Sequence, residues 1–199
     1  MRKEICICPH IAACKAAIGS TLQTRVVILM HHREQCRTTN TARLAELTLP
    51  QCEIRLRGLL DAPLLSEGIL DPTRHTLFLY PSPLARELTP GMARTLSKPV
   101  TLVVPDGSWG QAAKVSKREA FLKTVPHVKL LPQHTSQYGL RRGSRQHGLA
   151  TIEAIAAALG VLEGPEIQHS LEKLFAVMVT RTLHSRGIRP TPGATPPVP

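Results

Sequence analysis

Residues 100–111 read V-T-L-V-V-P-D-G-S-W-G-Q. Val100 to Val104 are apolar or β-branched without a break, which marks a strand buried on both faces. Pro105 and Gly107 are expected to end it, and Asp106-Gly107 is turn chemistry. Ser108 can cap a following helix, expected over residues 109–123. Strand, turn and helix in that order form the corner where open α/β sheets hold ligands. The chain's one tryptophan, Trp109, stands on it.

The same pattern recurs on either side. Residues 25–30 contain V-V-I-L-M and residues 76–80 read T-L-F-L-Y, two more strands without polar alternation. Pro81-Ser82-Pro83 closes the second of these, and residues 127–131 make a further strand. Residues 51–57 alternate strictly. Cys52, Ile54 and Leu56 take one face, and Glu53, Arg55 and Arg57 the other, as in a half-exposed strand near an edge. Helices are expected at 41–47 behind Thr39 or Asn40, at about 84–88, after Pro90-Gly91, at 152–162 behind Thr151, and at 166–184. The last two carry apolar stripes, Ile152, Ile155, Ala156, Leu159 and Leu162 in one, Ile167, Leu171, Leu174, Phe175 and Met178 in the other. Strands alternating with helices predict an α/β fold, a mostly parallel sheet with helices on both faces. The expected organisation is a Cys-containing segment at 1–24, one domain at 25–186 and a disordered Pro- and Thr-rich tail at 187–199.

With 42% apolar and 3% aromatic residues, the core must be aliphatic. A formal charge of +11 points to a polyanionic partner. No stretch approaches the roughly 20 apolar residues that span a bilayer, and no apolar run near the start suits a signal peptide. A cytoplasmic protein is expected, with no membrane and no protein partner. Five unevenly spaced cysteines suit reduced thiols better than a disulfide framework. A closed zinc site needs four ligands. Only Cys6, Cys8 and Cys14 lie close together, so no metal is expected.

There is no G-x-G-x-x-G after a strand, no P-loop, no G-x-S-x-G, and no H-x-E with P-C-x-x-C. Dinucleotide, nucleoside-triphosphate, serine-hydrolase and zinc-deaminase chemistry therefore lose support. Three strand-to-loop corners remain, at Tyr80-Pro81-Ser82, at Pro105 to Trp109, and from Leu131 through Arg142. If their strands are neighbours, the corners share one cleft. The third corner opens a long loop with Tyr138, Arg141, Arg142 and Arg145, suited to phosphate contact and base stacking or to solvation. Spacing alone leaves Asp106 open between a turn residue and a catalyst.

Several of these stretches together resemble one family. Asp106-Gly107-Ser108-Trp109, Tyr138-Gly139-Leu140-Arg141 and Thr151-Ile152-Glu153-Ala154 are similar, in order and spacing, to motifs of the DTW-domain proteins. So are Leu29-Met30-His31 with Glu34, Thr39-Asn40-Thr41 with Arg43-Leu44, and Tyr80-Pro81-Ser82. Members of that family are tRNA-uridine aminocarboxypropyltransferases. The resemblance implies a SPOUT-like fold whose C-terminal part can be knotted. It also implies an S-adenosyl-L-methionine-dependent transfer of the 3-amino-3-carboxypropyl group to N3 of a tRNA uridine.

On that resemblance Leu79, Tyr80, Pro81, Ser82, Pro105, Leu130, Leu131 and Leu140 would wrap the adenosine. Asp106 would be the general base or would orient the uridine. Trp109 would stack on a base or buttress the corner. Tyr138 and Arg141 would close the site, and Glu153 would bind the donor's amino group or only cap its helix. Arg33, Arg37, Asn40, Arg142 and Arg145 would contact RNA. Relatives commonly carry a Cys-x-x-Cys pair before a Cys-x-Cys. Here Cys6-Ile7-Cys8 matches the second pair as the remnant of a zinc site, and the first has no counterpart. Two other functions compete, an RNA methyltransferase with the same donor and a non-catalytic RNA-binding module.

Overall fold

The computed structural model describes residues 5–20, 22–59, 61, 63–131, 136 and 148–188. Its centre is a six-stranded sheet in which every recorded pairing is parallel. In chain order the strands are β1 (Arg25–His31), β2 (Cys52–Arg57), β3 (His75–Leu79), β4 (Arg86–Glu87), β5 (Val100–Asp106) and β6 (His127–Lys129). Their spatial order is β2-β1-β5-β3-β6-β4. The chain leaves β1 for one edge, then crosses to build the other half, and β5 returns to the middle. That reversal of direction beside β5 is a switch point, where open parallel sheets carry their ligand crevice.

Both faces of the inner strands are buried, as the unalternating runs require. Val26, Ile28 and Met30 of β1 face one way with Leu102 and Val104 of β5. Over them lie α1 (Cys8–Ile18), α2 (Ala42–Thr48), α6 (Thr151–Leu162) and α7 (Pro165–Ser185). Val27, Leu29, Phe78 and Val103 face the other way. This second face carries two one-turn helices, α4 (Trp109–Ala112) and α5 (Val115–Arg118), and a 3-10 turn at Ala120–Thr124. A short α3 (Pro90–Arg94) precedes β5. The Cys-containing N-terminal segment joins the main core, since Cys14 and Ile18 are buried there and the Cys14 thiol donates to the Ser170 carbonyl. Among the described residues no helix is long and apolar enough to cross a membrane. They do not show a knot, and the tail from 189 onward lies outside them.

Four expectations need correction. The central strand does not stop at Val104 but runs through Pro105 to Asp106. Pairing with β3 ends at Val103 while pairing with β1 continues, so the proline stands where one neighbour has gone. The helix expected at 109–123 is three short pieces. Glu119 occupies the inward position between Val115 and Leu122, and there the chain turns extended, with φ −90° and ψ 102°. Residues 84–88 are not helical. The Leu88 N–H donates to the Lys129 carbonyl at 2.8 Å, and β4 forms as a two-residue edge strand.

The fourth correction concerns Arg57, which alternation assigns to an exposed face. Its side chain is only 2% exposed, and its Nε donates to Glu119 Oε1 at 3.1 Å. Breaking a buried pair leaves the surviving charge without compensation. Arg57→Ala should therefore cost about 3 kcal/mol of stability. Joint replacement by Arg57→Leu and Glu119→Leu should restore most of it, as measured by urea denaturation of both proteins.

Candidate active site

All six strands point the same way, so the corners after β5, β3 and β6 lie side by side on one edge of the sheet. The corner after β1 flanks them, since Met30 pairs with Asp106. The corners expected to converge therefore do lie together, at the C-terminal edge around β5.

At its centre the Asp106 carboxylate is 7% exposed and gripped from two sides. Asn40 Nδ2 donates to Oδ2 at 2.9 Å, and the Thr151 hydroxyl donates to Oδ1. These partners lie 66 and 45 positions away in sequence. Asn40 is itself fixed: its amide also donates to the Glu34 carbonyl, at 3.3 Å, and its Oδ1 accepts from the Ala42 N–H at 2.9 Å and the Arg43 N–H at 3.4 Å. Asn40 thus caps the entry to α2, as its residue type suggested, while its amide holds Asp106. It is buried and its hydrogen-bonding groups are spent within the fold, which leaves little for RNA. Thr151 was expected to cap α6. Ala150 holds the cap position instead, and Thr151 stands in the first turn with its hydroxyl on Asp106. The Ile152 N–H donates to Thr41 Oγ1 at 3.4 Å, tying the starts of α2 and α6 together. Two donors and the N-terminal end of a 12-residue helix converge on one carboxylate.

After the central strand, Ser108 accepts from the Gln111 N–H while Gln111 Oε1 accepts from the Ser108 N–H at 2.7 Å. This reciprocal cap fixes the turn that carries Trp109. The indole is half-buried and its edge lies on Gly148, just before α6. A Cβ on Gly148 would stand 2.6 Å from Trp109 Cζ2. Buttressing is therefore one role of Trp109.

The corner after β3 has a polar atom left over. Ser82 Oγ is buried and has no hydrogen-bond partner. Tyr80 is half-buried against the second core face, Pro81 is exposed, and Leu79 is buried in the main core. At the next corner Leu130 is half-buried and Leu131 is 39% exposed, while Pro105 is half-buried between them and β1. Glu153 Oε2 accepts from the Ala150 N–H and from Ser136 Oγ, each at 2.7 Å. It caps α6 and anchors the loop before it. Tyr138, Leu140, Arg141, Arg142 and Arg145 lie outside the described residues.

Arg33 is exposed beside the β1 corner. Arg37 is more than half exposed and pairs through Nε with the buried Glu34 carboxylate at 3.1 Å. His31, at the end of β1, stacks on His32 with ring centroids 4.7 Å apart. Burial, then the nearby charge of His32, holds its imidazole below the ordinary value. At the N-terminus the Cys6 thiol is lowered by hydrogen bonds from Cys8. Burial pushes Cys14 up to about 11 and Cys52 up to about 12, so these two are packed, unreactive thiols. Among the described residues no group of three or more His, Cys, Asp or Glu could hold a metal ion.

Sequence reasoning missed Thr151 as a carboxylate partner and the pair of Arg57 with Glu119. No local signal marks either, because each joins residues distant in sequence.

The chain is 28% identical over 164 residues to tRNA-uridine aminocarboxypropyltransferase 2 of Macaca fascicularis, covering 81% of this chain and 54% of that protein. It is 30% identical over 184 residues to the protein of the same name from Drosophila melanogaster, covering 84% and 66%. The chain thus spans about half to two thirds of the length of these curated relatives. Among solved structures, the SAM-dependent rRNA:acp-transferase Tsr3 from Vulcanisaeta distributa superposes with a TM-score of 0.49 at 17% identity, over 82% of this chain and 79% of that one. Residues 1–183 match the DTW domain, and the chain belongs to the DTW domain family.

Proposed function

We propose that this protein transfers the 3-amino-3-carboxypropyl group of S-adenosyl-L-methionine to N3 of a tRNA uridine, releasing methylthioadenosine. The observation that carries the reading is the grip of Asn40 and Thr151 on Asp106. It joins three separate family motifs on the one sheet edge suited to a ligand. The names of the relatives support the substrate and the reaction.

The corner after β3 fits the donor. Ser82 Oγ is a buried hydroxyl in need of a partner, and Tyr80, Pro81, Pro105, Leu130 and Leu131 offer apolar walls for an adenosine. The donor supplies an electrophilic carbon next to its sulfonium on the amino-acid arm. The rest falls to this chain. Asp106 accepts the uridine N3–H in a hydrogen bond. The proton passes to Asp106 and on to water as N3 bonds to the carbon, and the carbon–sulfur pair returns to sulfur. Asn40 acts here by holding Asp106. Trp109 stacks on a base besides buttressing the corner, Leu140 joins the adenosine walls, and Tyr138 and Arg141 close the site. Arg33, Arg37, Arg142 and Arg145 take RNA phosphates. The SPOUT-like chain path, with or without a knot, and a place in the cytoplasm belong to the same proposal.

The test is mass spectrometry of tRNA and of small molecules after incubation with the protein and S-adenosyl-L-methionine. Methylthioadenosine together with a modified uridine is expected. S-adenosylhomocysteine with a methylated base would make the protein a methyltransferase, and no donor consumption would leave an RNA-binding module.

A further inference from the structure

A concavity lies at the N-terminal edge of the sheet, opposite the Asp106 edge, where β3 and β6 begin. It is a half-open cleft of about 470 Å³, lined by Arg74, His75, Arg86 and His127 among others. The five residues of β3 put it roughly 15 Å from the Asp106 edge at the usual rise per residue. We propose that this cleft binds a nucleotide, its phosphate on the arginines and its base on the apolar floor.

Charge comes first. No carboxylate is found among the described residues that line the cleft. Arg86 is exposed on the edge strand β4, and no ion pair to it is recorded among the described residues. Arg74 sends its Nε to Thr101 Oγ1 at 3.1 Å and its Nη2 to the Val100 carbonyl at 2.7 Å and to the Gln23 carbonyl, so three neutral acceptors hold it in place. Asp71, three residues earlier, turns its carboxylate to the Thr73 N–H and hydroxyl, and these bonds, more than the nearby charge of Arg74, hold it below the usual carboxylate range. Two guanidinium groups in a concave wall without acids attract an anion.

Size and lining then narrow the ligand. The volume far exceeds a bare phosphate and falls in the range of small-molecule sites. Leu77 and Met92 give it an apolar floor. His75 and His127 add ring surface, and His127 Nδ1 is buried without a hydrogen-bond partner, a cost that a bound polar group can offset. An anion carrying a flat, partly apolar body meets these demands, and a nucleotide is such a body. It comes either as a free mononucleotide or as one unpaired residue of an RNA strand. The second source rests on the RNA-modifying reading above, whereas the first does not.

The experiment follows the imidazole resonances of His75 and His127 by NMR during titration with cytidine monophosphate and with a short oligocytidylate. Cytosine avoids both the adenosine and the uridine expected at the Asp106 edge. Saturable shifts are expected, weakened at least ten-fold in R86A and lost in R86E, with aminocarboxypropyl transfer to a saturating tRNA unchanged. Binding of the mononucleotide alone assigns a free ligand, and binding of the oligonucleotide alone assigns an RNA strand. Absence of saturable shifts with either probe, or equal shifts in wild type and R86A, overturns the proposal. The transferase reading would stand in that case, since its own product test is separate.

Discussion

Asp106→Asn should leave a folded protein that binds tRNA within about three-fold of wild type and turns over roughly 10²- to 10⁴-fold more slowly. The substitution keeps the size of the side chain. Its carbonyl oxygen can still accept from Asn40 or from Thr151, but its amide then faces the other donor, and the negative charge is gone. Nothing remains to draw the N3 proton from the uridine. Asp106→Ala is the harsher change, because the Asn40 amide and the Thr151 hydroxyl both lose their acceptor in a buried place. Each orphaned group costs about 1–3 kcal/mol, so loss of activity there would mix chemistry with stability. Thr151→Val separates the two. It removes one donor and keeps the carboxylate, so kcat should fall less than in Asp106→Asn while KM for tRNA stays put. Thermal denaturation with single-turnover kinetics on the three proteins makes the comparison. Full turnover by a folded Asp106→Asn protein would take this carboxylate out of the reaction.

How far the sequence foretold this site depends on the range of the interactions involved. The strands were legible because β1, β3 and β5 are buried on both faces and show it as unbroken apolar runs. The corners were legible because Pro, Gly, Ser and Asp punctuate them. The neighbourhood of β5, β3 and β6 could only be stated as a condition, and the pairing supplies it. The helix at 109–123 failed since a cap at Ser108 does not say that Glu119 turns inward to meet Arg57, 62 positions earlier. Thr151 looked like a cap because a threonine before an apolar run usually is one. Only the fold brings Asp106 near enough to take its hydroxyl. The predicted roles of Tyr138, Leu140 and Arg141 rest on the family motif and those of Arg142 and Arg145 on the charge of their loop, these residues lying outside the described ones.

The other large effect is expected at Gly148, just before α6. The reason for glycine there is a close approach, because an added Cβ would stand 2.6 Å from Trp109 Cζ2, 3.1 Å from Cε2 and 3.2 Å from Nε1. The ring is rigid and has three contacts at once, so it must move bodily or push the chain before α6 outward. Neither is cheap. Trp109 sits in the first turn of a helix fixed by the Ser108–Gln111 cap, and Gly148 stands three residues before Thr151, the donor to Asp106. Overpacking of this kind costs about 1–3 kcal/mol. The displacement should also reach the carboxylate through Thr151, and a shift of about 1 Å can cost roughly 10²-fold in rate. Gly148→Ala should therefore lower both melting temperature and turnover. Adding Trp109→Leu should recover the melting temperature by making room for the new methyl. A wild-type melting temperature and rate in Gly148→Ala alone would mean that the indole does not rest on this glycine, and the buttress would have to be abandoned.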